Sequence, residues 1–250
     1  MIKLKNAREI ELMREAGKVT QSALTLAGTL VKPGVTTASI DKAICDEIAR
    51  YGAVPSFLGY NGFPAGSCIS INEQVIHGIP SDRKLIDGDI VKIDVGVILN
   101  GWQGDCANTF PCGEVTAAAA KLIEVTRQSF FEGFEALKSA TRLGDVSHAI
   151  QQTVETNGFS VVRDFVGHGI GRDLHEDPSV PNFGTAGRGV RLCEGMVIAI
   201  EPMVNVGDWK IEILNDKWTV VTHDRSLSAH YENTVAITVN GPEILTKCDI

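Results

Sequence analysis

The sequence predicts an α+β fold: a mixed, mainly antiparallel sheet with helices on its outer face, built from two related halves. Three observations carry this prediction. Apolar residues keep helical spacing in each half, at Ile10, Met13, Ala16, Val19 and Ala23 in the first and at Val146, Ile150 and Val154 in the second. Asn100-Gly101 lies between two strand-like runs, the strongest short-range signal for a hairpin turn. Finally, LIDGDIVKIDVGV (85–97) aligns without a gap on LCEGMVIAIEPMV (192–204), which places Asp94 on Glu201.

Taken in order, the spacing predicts a helix over 6–31, ended by Lys32-Pro33-Gly34. Thr37 or Ser39 is expected to cap a second helix bearing Ile40, Ile44 and Ile48, with Gly52 as its stop. Residues 53–66, rich in Gly, Pro and aromatics, read as a loop. Short strands follow at 67–72 and 75–78, then the hairpin over 85–110. A helical stretch runs from 113 through 143, and another helix follows Asp145 as its cap and stops at Gly158. Strands are expected at 160–165 and 196–204, then a longer hairpin ending at 228–239.

Two further echoes follow the first. VIHGI (75–79) matches VGHGI (166–170) and pairs His77 with His168, and the Asn-Thr after Asp105 is echoed, more loosely, by the Asn-Thr after Glu232. With no linker or low-complexity tract, one domain over 1–250 is expected, with pseudo-symmetric halves of about 1–112 and 113–250.

A net charge of −8 argues against nucleic acid as a substrate, because phosphate binding needs a basic surface. The opening MIKLKNAREIELM lacks the continuous apolar core of a secretory signal, and no stretch approaches a membrane span. A soluble cytoplasmic protein without a membrane partner is the expectation. Cys45, Cys68, Cys106, Cys112, Cys193 and Cys248 form no C-x-x-C pair and are expected to be reduced. Cys106 and Cys193, in or beside predicted strands, read as small core residues.

With Asn100-Gly101 at the turn, Gly96 faces Asp105. Asp94 lies on the same face as Gly96, so Asp94 and Asp105 become diagonal neighbours, with Cβ atoms roughly 7 Å apart. Two carboxylates that close among Ile and Val resist ionisation unless a cation lies between them. Gly96 is expected to leave the space for it. A lone acid in a strand is ordinarily a solvent-facing charge, but here the repeat and the apolar flanks reverse that reading.

Asp94, Asp105, His168, Glu201 and Glu232 could reach one site, with His77 and His175 nearby, although His175 has no partner in the repeat. Four carboxylates and one imidazole balance two divalent first-row ions, and Co, Mn, Fe and Zn are all compatible. Such ions sit roughly 3.5–4 Å apart around a water that loses its proton near neutral pH. No serine or cysteine nucleophile is needed. His148 and His223 have no comparable context and read as surface residues.

These residues fall in SINEQVIHGIP (70–80), VKIDVGV (91–97), GHGIGRDLHEDP (167–178), IEPMV (200–204) and SAHYENTV (228–235). At these motifs, and over nearly its whole length, the chain resembles the methionine aminopeptidases, metallopeptidases of the pita-bread fold. It looks like the short type I form, without an N-terminal zinc-binding extension. The resemblance implies removal of the initiator methionine from a new polypeptide when the next residue is small.

It also implies that Asp94, Asp105, His168, Glu201 and Glu232 are metal ligands, with Asp105 and Glu232 bridging two ions. Glu201 then handles the proton of the attacking water, and His175 donates to the tetrahedral oxyanion. His77 and His175 contact substrate, and the substrate's α-amine binds near Asp94. Tyr60, Phe63, Cys68 and Trp218 match the methionine pocket. The implied partner is the N-terminus of a nascent polypeptide, with the ribosome as a further candidate, and the implied state is a monomer.

Five positions depart from the family pattern. Phe63 stands where tyrosine is expected, Phe57 where a small residue is expected, and Leu174 where an aromatic is expected. Gly96 replaces a threonine and His230 a glutamine. Rival readings are a proline-specific aminopeptidase or dipeptidase, which usually carries an additional N-terminal domain, and a non-catalytic binding protein, which would be free to lose ligands. A dinuclear phosphoesterase would need a cation beside the ions to hold phosphate, with Lys92 and Arg172 as the near candidates.

Overall fold

Asn6 accepts a hydrogen bond from the Glu9 amide while the Glu9 carboxylate accepts one from the Asn6 amide, and this reciprocal cap starts α1 (Ala7–Leu30). The computed structural model describes residues 1–138 and 140–247, so Cys248 lies outside the described residues. In α2 (Thr37–Arg50) the cap is Thr36, not the expected Thr37 or Ser39. Thr36 Oγ1 accepts from the Ser39 amide at 3.2 Å, whereas the Thr37 hydroxyl is drawn away to the Ser81 carbonyl. The first half continues with β1 (Val54–Pro55), a 3-10 turn at Tyr60–Gly62, β2 (Cys68–Ile71), β3 (Gln74–Ile76), β4 (Ile90–Leu99) and β5 (Trp102–Pro111).

The second half opens with α3 (Ala117–Leu137) and α4 (Leu143–Thr156), so the long helical stretch stops before 143. Asp145 is not the cap residue; it lies inside α4 and accepts from the Thr141 and Arg142 amides at 3.1 Å each. Then come β6 (Ser160–Val161), β7 (Gly167–Gly169), β8 (Glu176–Val180), β9 (Val197–Ile200), β10 (Met203–Asn205), β11 (Ile211–Ile213), β12 (Val220–Thr222), β13 (Ser228–His230), β14 (Glu232–Thr238) and β15 (Gly241–Ile244). β6 is shorter than the expected strand because it pairs only with β10, itself three residues long. No helix among the described residues is long and apolar enough to cross a membrane.

The main sheet runs β1-β4-β5-β14-β9-β7-β8, with β2 on β4 and β15 on β14. Every pairing in it among the described residues is antiparallel, so the expected mixture with parallel pairs is not found. The hairpin has the expected register, Leu99 opposite Trp102 and Gly96 opposite Asp105. Its turn residues Asn100 and Gly101 have φ of 53° and 77°, the two positive values a tight hairpin turn requires.

The halves meet where β5 pairs β14, Ala107 opposite Glu232. Cys68, Asp94, Ala107 and Glu232 thus form one row across four strands. Directly opposed residues share a face, and Asp105, two along from Ala107, joins them. The repeat is visible in the backbone: Gly88 and Gly195, at matching places before β4 and β9, have φ of +91° and +86°. Ile40, Ile44 and Ile48 of α2 are buried with Val91, Ile93 and Val95 of β4, and Val146 and Ile150 of α4 with Ile198 and Ile200 of β9.

Two expectations are overturned by packing. Cys106 is buried as expected, but Cys193 is exposed, because it lies in the turn before β9. Its counterpart in the repeat, Ile86, is likewise 60% exposed. The space above Gly96 does not receive a cation. A Cβ on Gly96 would lie 2.6 Å from Phe57 Cε1 and 2.9 Å from Ser56 Cβ. The two departures at 57 and 96 are therefore one exchange of volume, a ring gained where a side chain is lost. Gly96→Thr alone should cost about 1–3 kcal/mol by overpacking, and Phe57→Cys in the same chain should recover most of it. Thermal unfolding of both single variants and the double variant checks this; strictly additive losses would show the two positions to be independent.

Candidate active site

One cavity of about 210 Å³ opens on the face that carries the Cys68–Glu232 row. Asp94 from β4, Asp105 from β5, His168 from β7, Glu232 from β14 and Glu201, just past β9, all line it. His168 Nδ1 donates to the Gly169 carbonyl at 2.9 Å, since a carbonyl can only accept. That fixes the tautomer and leaves Nε2 as a lone-pair donor. Nε2 lies 3.6 Å from Glu201 Oε1 and 3.9 Å from Asp105 Oδ2, too far for hydrogen bonds.

Ligand atoms of Asp105, His168 and Glu232 lie within 4.8 Å of one another, and so do those of Asp94, His230 and Glu232. Glu232 belongs to both groups. Burial drives the Asp94 carboxyl up to about 7, and a hydrogen bond shared with Asp105 only partly opposes this. Asp105, Glu201 and Glu232 are raised well above the usual carboxylate range, first by burial and then by one another's charge or that of Asp94. Asp94 Oδ1, Asp105 Oδ1 and Glu232 Oε1 are buried without any hydrogen-bond partner. Acid groups so arranged lack only positive charge, so this donor set fits divalent cations.

The other end of the cavity is apolar, with Phe57, Tyr60, Phe63, Cys68, Leu174 and Trp218 on its walls. Phe63 and Trp218 meet edge to face at 5.1 Å. Burial, then Asp94, pushes the Cys68 thiol well above its ordinary range, which makes it a lining group and not a nucleophile. His77 has a positive φ of 57°, sparsely populated for such a residue, and its ring stands edge-on to Phe165 at 5.7 Å. Burial, aided by His175, lowers it to about 4. His175 Nδ1 is 2.7 Å from Tyr60 Oη, and its ring stands 4.3 Å from that of His168. Burial lowers its pKa as well.

Every site residue expected from the sequence lines this one cavity. Two participants were not expected: Asn61, on the wall, and Phe165, behind His77. Asn61-Gly62 repeats the Asn-Gly pair of the hairpin and was the available signal, while nothing local marks Phe165. Lys92 and Arg172 do not line the cavity. Lys92 Nζ is buried and donates to the Asn72 carbonyl at 2.7 Å, and the Arg172 guanidinium covers Trp102 at 4.5 Å. His223 is exposed as expected and pairs with Glu212, whereas His148 is half-buried.

The pattern of the metallopeptidase family M24 matches residues 11–239. The methionine aminopeptidase of Clostridium acetobutylicum is 57% identical over 250 residues, 100% of each chain. Methionine aminopeptidase 1 of Bacillus subtilis is 49% identical, covering 99% of this chain and 100% of that one. Among solved structures, methionine aminopeptidase from Rickettsia prowazekii superposes with a TM-score of 0.97 at 44% identity, over 99% of this chain and 100% of that one. The Thermotoga maritima enzyme gives 0.96 at 46%, with the same coverage. The prolidase from Pyrococcus furiosus gives 0.78 at 22% identity over 66% of its length, a likeness of fold alone. The antiparallel sheet, its helical layer and these superpositions agree with the pita-bread expectation, and the chain belongs to metallopeptidase family M24 and, within it, to the methionine aminopeptidases.

Proposed function

We propose that this protein removes the N-terminal methionine from polypeptides whose second residue is small. The observation that carries the proposal is the convergence, in one cavity, of a carboxylate–imidazole donor set at one end and an aromatic, sulfur-bearing wall at the other. The sheet shared by both halves supports reading the chain as one catalytic domain. A prolidase-type activity draws only on likeness of fold, and a non-catalytic role leaves the complete donor set without a purpose.

Asp94, Asp105, His168, Glu201 and Glu232 would hold two divalent ions, with Asp105 and Glu232 shared between them; the place of Glu232 in both donor groups supports its own sharing. Cobalt, manganese, iron and zinc all suit such donors. When bound, the ions polarise the scissile carbonyl and acidify water at neutral pH. The remaining work belongs to side chains. Tyr60, Phe63, Cys68 and Trp218, with Phe57 and Leu174, take the methionine side chain, whose thioether packs well on aromatic edges. The α-amine lies by Asp94.

Glu201 takes the proton of the attacking water and returns it to the leaving amine, acting first as general base and then as general acid. With the Tyr60 hydroxyl as the donor to His175 Nδ1, 2.7 Å away, the neutral ring would carry its proton on Nε2 and offer it to the developing oxyanion. His77, held neutral by burial, contacts the substrate. The setting we infer is the cytoplasm, where a monomer meets nascent N-termini as they leave the ribosome.

Incubation with Met-Ala-Ser, and with Pro- and Leu-headed controls, under each of the four metals tests the proposal. Methionine release alone is expected. Equal release of proline or leucine, or no release under any metal, would overturn it.

His175→Ala should retain metal by calorimetry yet lose kcat by about 10²–10³, the usual loss for one oxyanion donor. His168→Ala should weaken metal binding itself. Equal loss of metal in both variants would make His175 a ligand.

The buried acids also set a pH dependence for the chelated protein. Their folded pKa values, about 7 for Asp94 and higher than ordinary for Asp105, Glu201 and Glu232, exceed those of the unfolded chain. The folded form therefore binds more protons above about pH 4, so stability present in acid is lost as pH rises through 7. Divalent ions should reverse this, raising Tm most at neutral pH and above. The buried histidines, whose folded pKa values are lowered, oppose the trend of the acids below about pH 6.5, so the acids are isolated above it. Melting curves with chelator and with Mn(II) from about pH 6.5 to 8.5 check it; a chelated protein that grows more stable across that range would contradict the buried-acid account.

A further inference from the structure

We infer that His230 is a further metal ligand of this site, adding a second imidazole to the ion held by Asp94 and Glu232. The inference rests on the reading of the cavity as a metal centre. His230 ends β13, and its backbone is locked against β5: its amide donates to Thr109 Oγ1 at 2.9 Å and its carbonyl accepts from the same hydroxyl at 2.8 Å. The ring is 1% exposed, and neither Nδ1 nor Nε2 has a hydrogen-bond partner. A neutral imidazole carries one N–H and one lone pair, and burying both unmet is unfavourable. Something that the protein chain does not supply belongs beside this ring.

The positions of the neighbouring oxygens say what it is. Nε2 lies 3.8 Å from Glu232 Oε2 and 3.9 Å from Glu201 Oε2. Both separations are too long for hydrogen bonds. They fit two donors on one first-row ion, which lie no more than about 4.4 Å apart when each bond is about 2.0–2.2 Å. Asp94 completes the group, its ligand atom and those of His230 and Glu232 all lying within 4.8 Å of one another. Where the family pattern has a glutamine, this chain offers a better nitrogen donor, and imidazole favours cobalt and zinc over the oxygen-preferring manganese.

The test uses the intact protein loaded with two equivalents of Co(II). Ligated imidazoles show paramagnetically shifted, exchangeable N–H resonances, so two are expected in the wild type, from His168 and His230, and one in His230→Gln. By calorimetry with the metal alone, His230→Gln should lose about tenfold or more in Co(II) affinity and clearly less for Mn(II). Circular dichroism checks that the variant folds, and Asp105→Ala supplies the control for loss of the centre. One shifted imidazole resonance in the wild type, or unchanged Co(II) affinity in His230→Gln, would overturn the inference while leaving the metal centre standing. A wild type that binds no Co(II) would remove the metal reading and the inference with it.

Discussion

Four carboxyl groups buried in one cavity cannot all ionise beside one another without a cation, and the rest of this structure is arranged around that constraint. Asp105 and Glu232 are buried and Asp94 and Glu201 half-buried in the cavity wall, and burial is the first cause of every shift they show. Keeping such a cluster folded needs a frame that holds the acids in place despite their repulsion. An antiparallel sheet does this because β4, β5, β14 and β9, which carry or lead into the acids, are each tied to neighbours on both sides.

The pseudo-twofold layout follows from the same requirement. Each half contributes one acid on a central strand or just past it and a second on the neighbouring strand: Asp94 with Asp105, and Glu201 with Glu232. Pairing of β5 with β14 sets these two pairs side by side, and the row from Cys68 to Glu232 puts the apolar pocket next to them. Helices α1 and α2 cover one pair and α3 and α4 the other, so the acids are kept from water from behind while the cavity stays open in front.

Departures from the family pattern become intelligible as pairs and surroundings. Phe57 fills the volume that Gly96 vacates, so the cavity keeps its wall while its shape changes. Hydrogen bonds to Thr109 fix the backbone of His230, and its buried ring has no hydrogen-bond partner within the chain. His77 combines a positive φ with edge-on contacts to Phe165 and Trp218, and such backbone conformations cluster at functional positions.

Periodicity and turn chemistry are local, and whatever depends on them was determined by the sequence alone. The hairpin register through Asn100-Gly101, the helices bearing Ile40, Ile44 and Ile48 or Val146, Ile150 and Val154, and the repeat that matches Asp94 with Glu201 all belong here. The repeat and the motifs together singled out acids and histidines that line one cavity, though not His230. Contacts between residues distant in the chain were decided only by the tertiary structure. The Thr36 cap depends on Ser81 claiming the Thr37 hydroxyl, and the filling of Gly96 depends on a loop forty residues away. The exposure of Cys193 follows from a turn that its apolar neighbours disguise, and the seam between β5 and β14 joins segments more than a hundred residues apart. A side chain's partners are set by what packs against it in space, and spacing along one strand or helix carries no record of that.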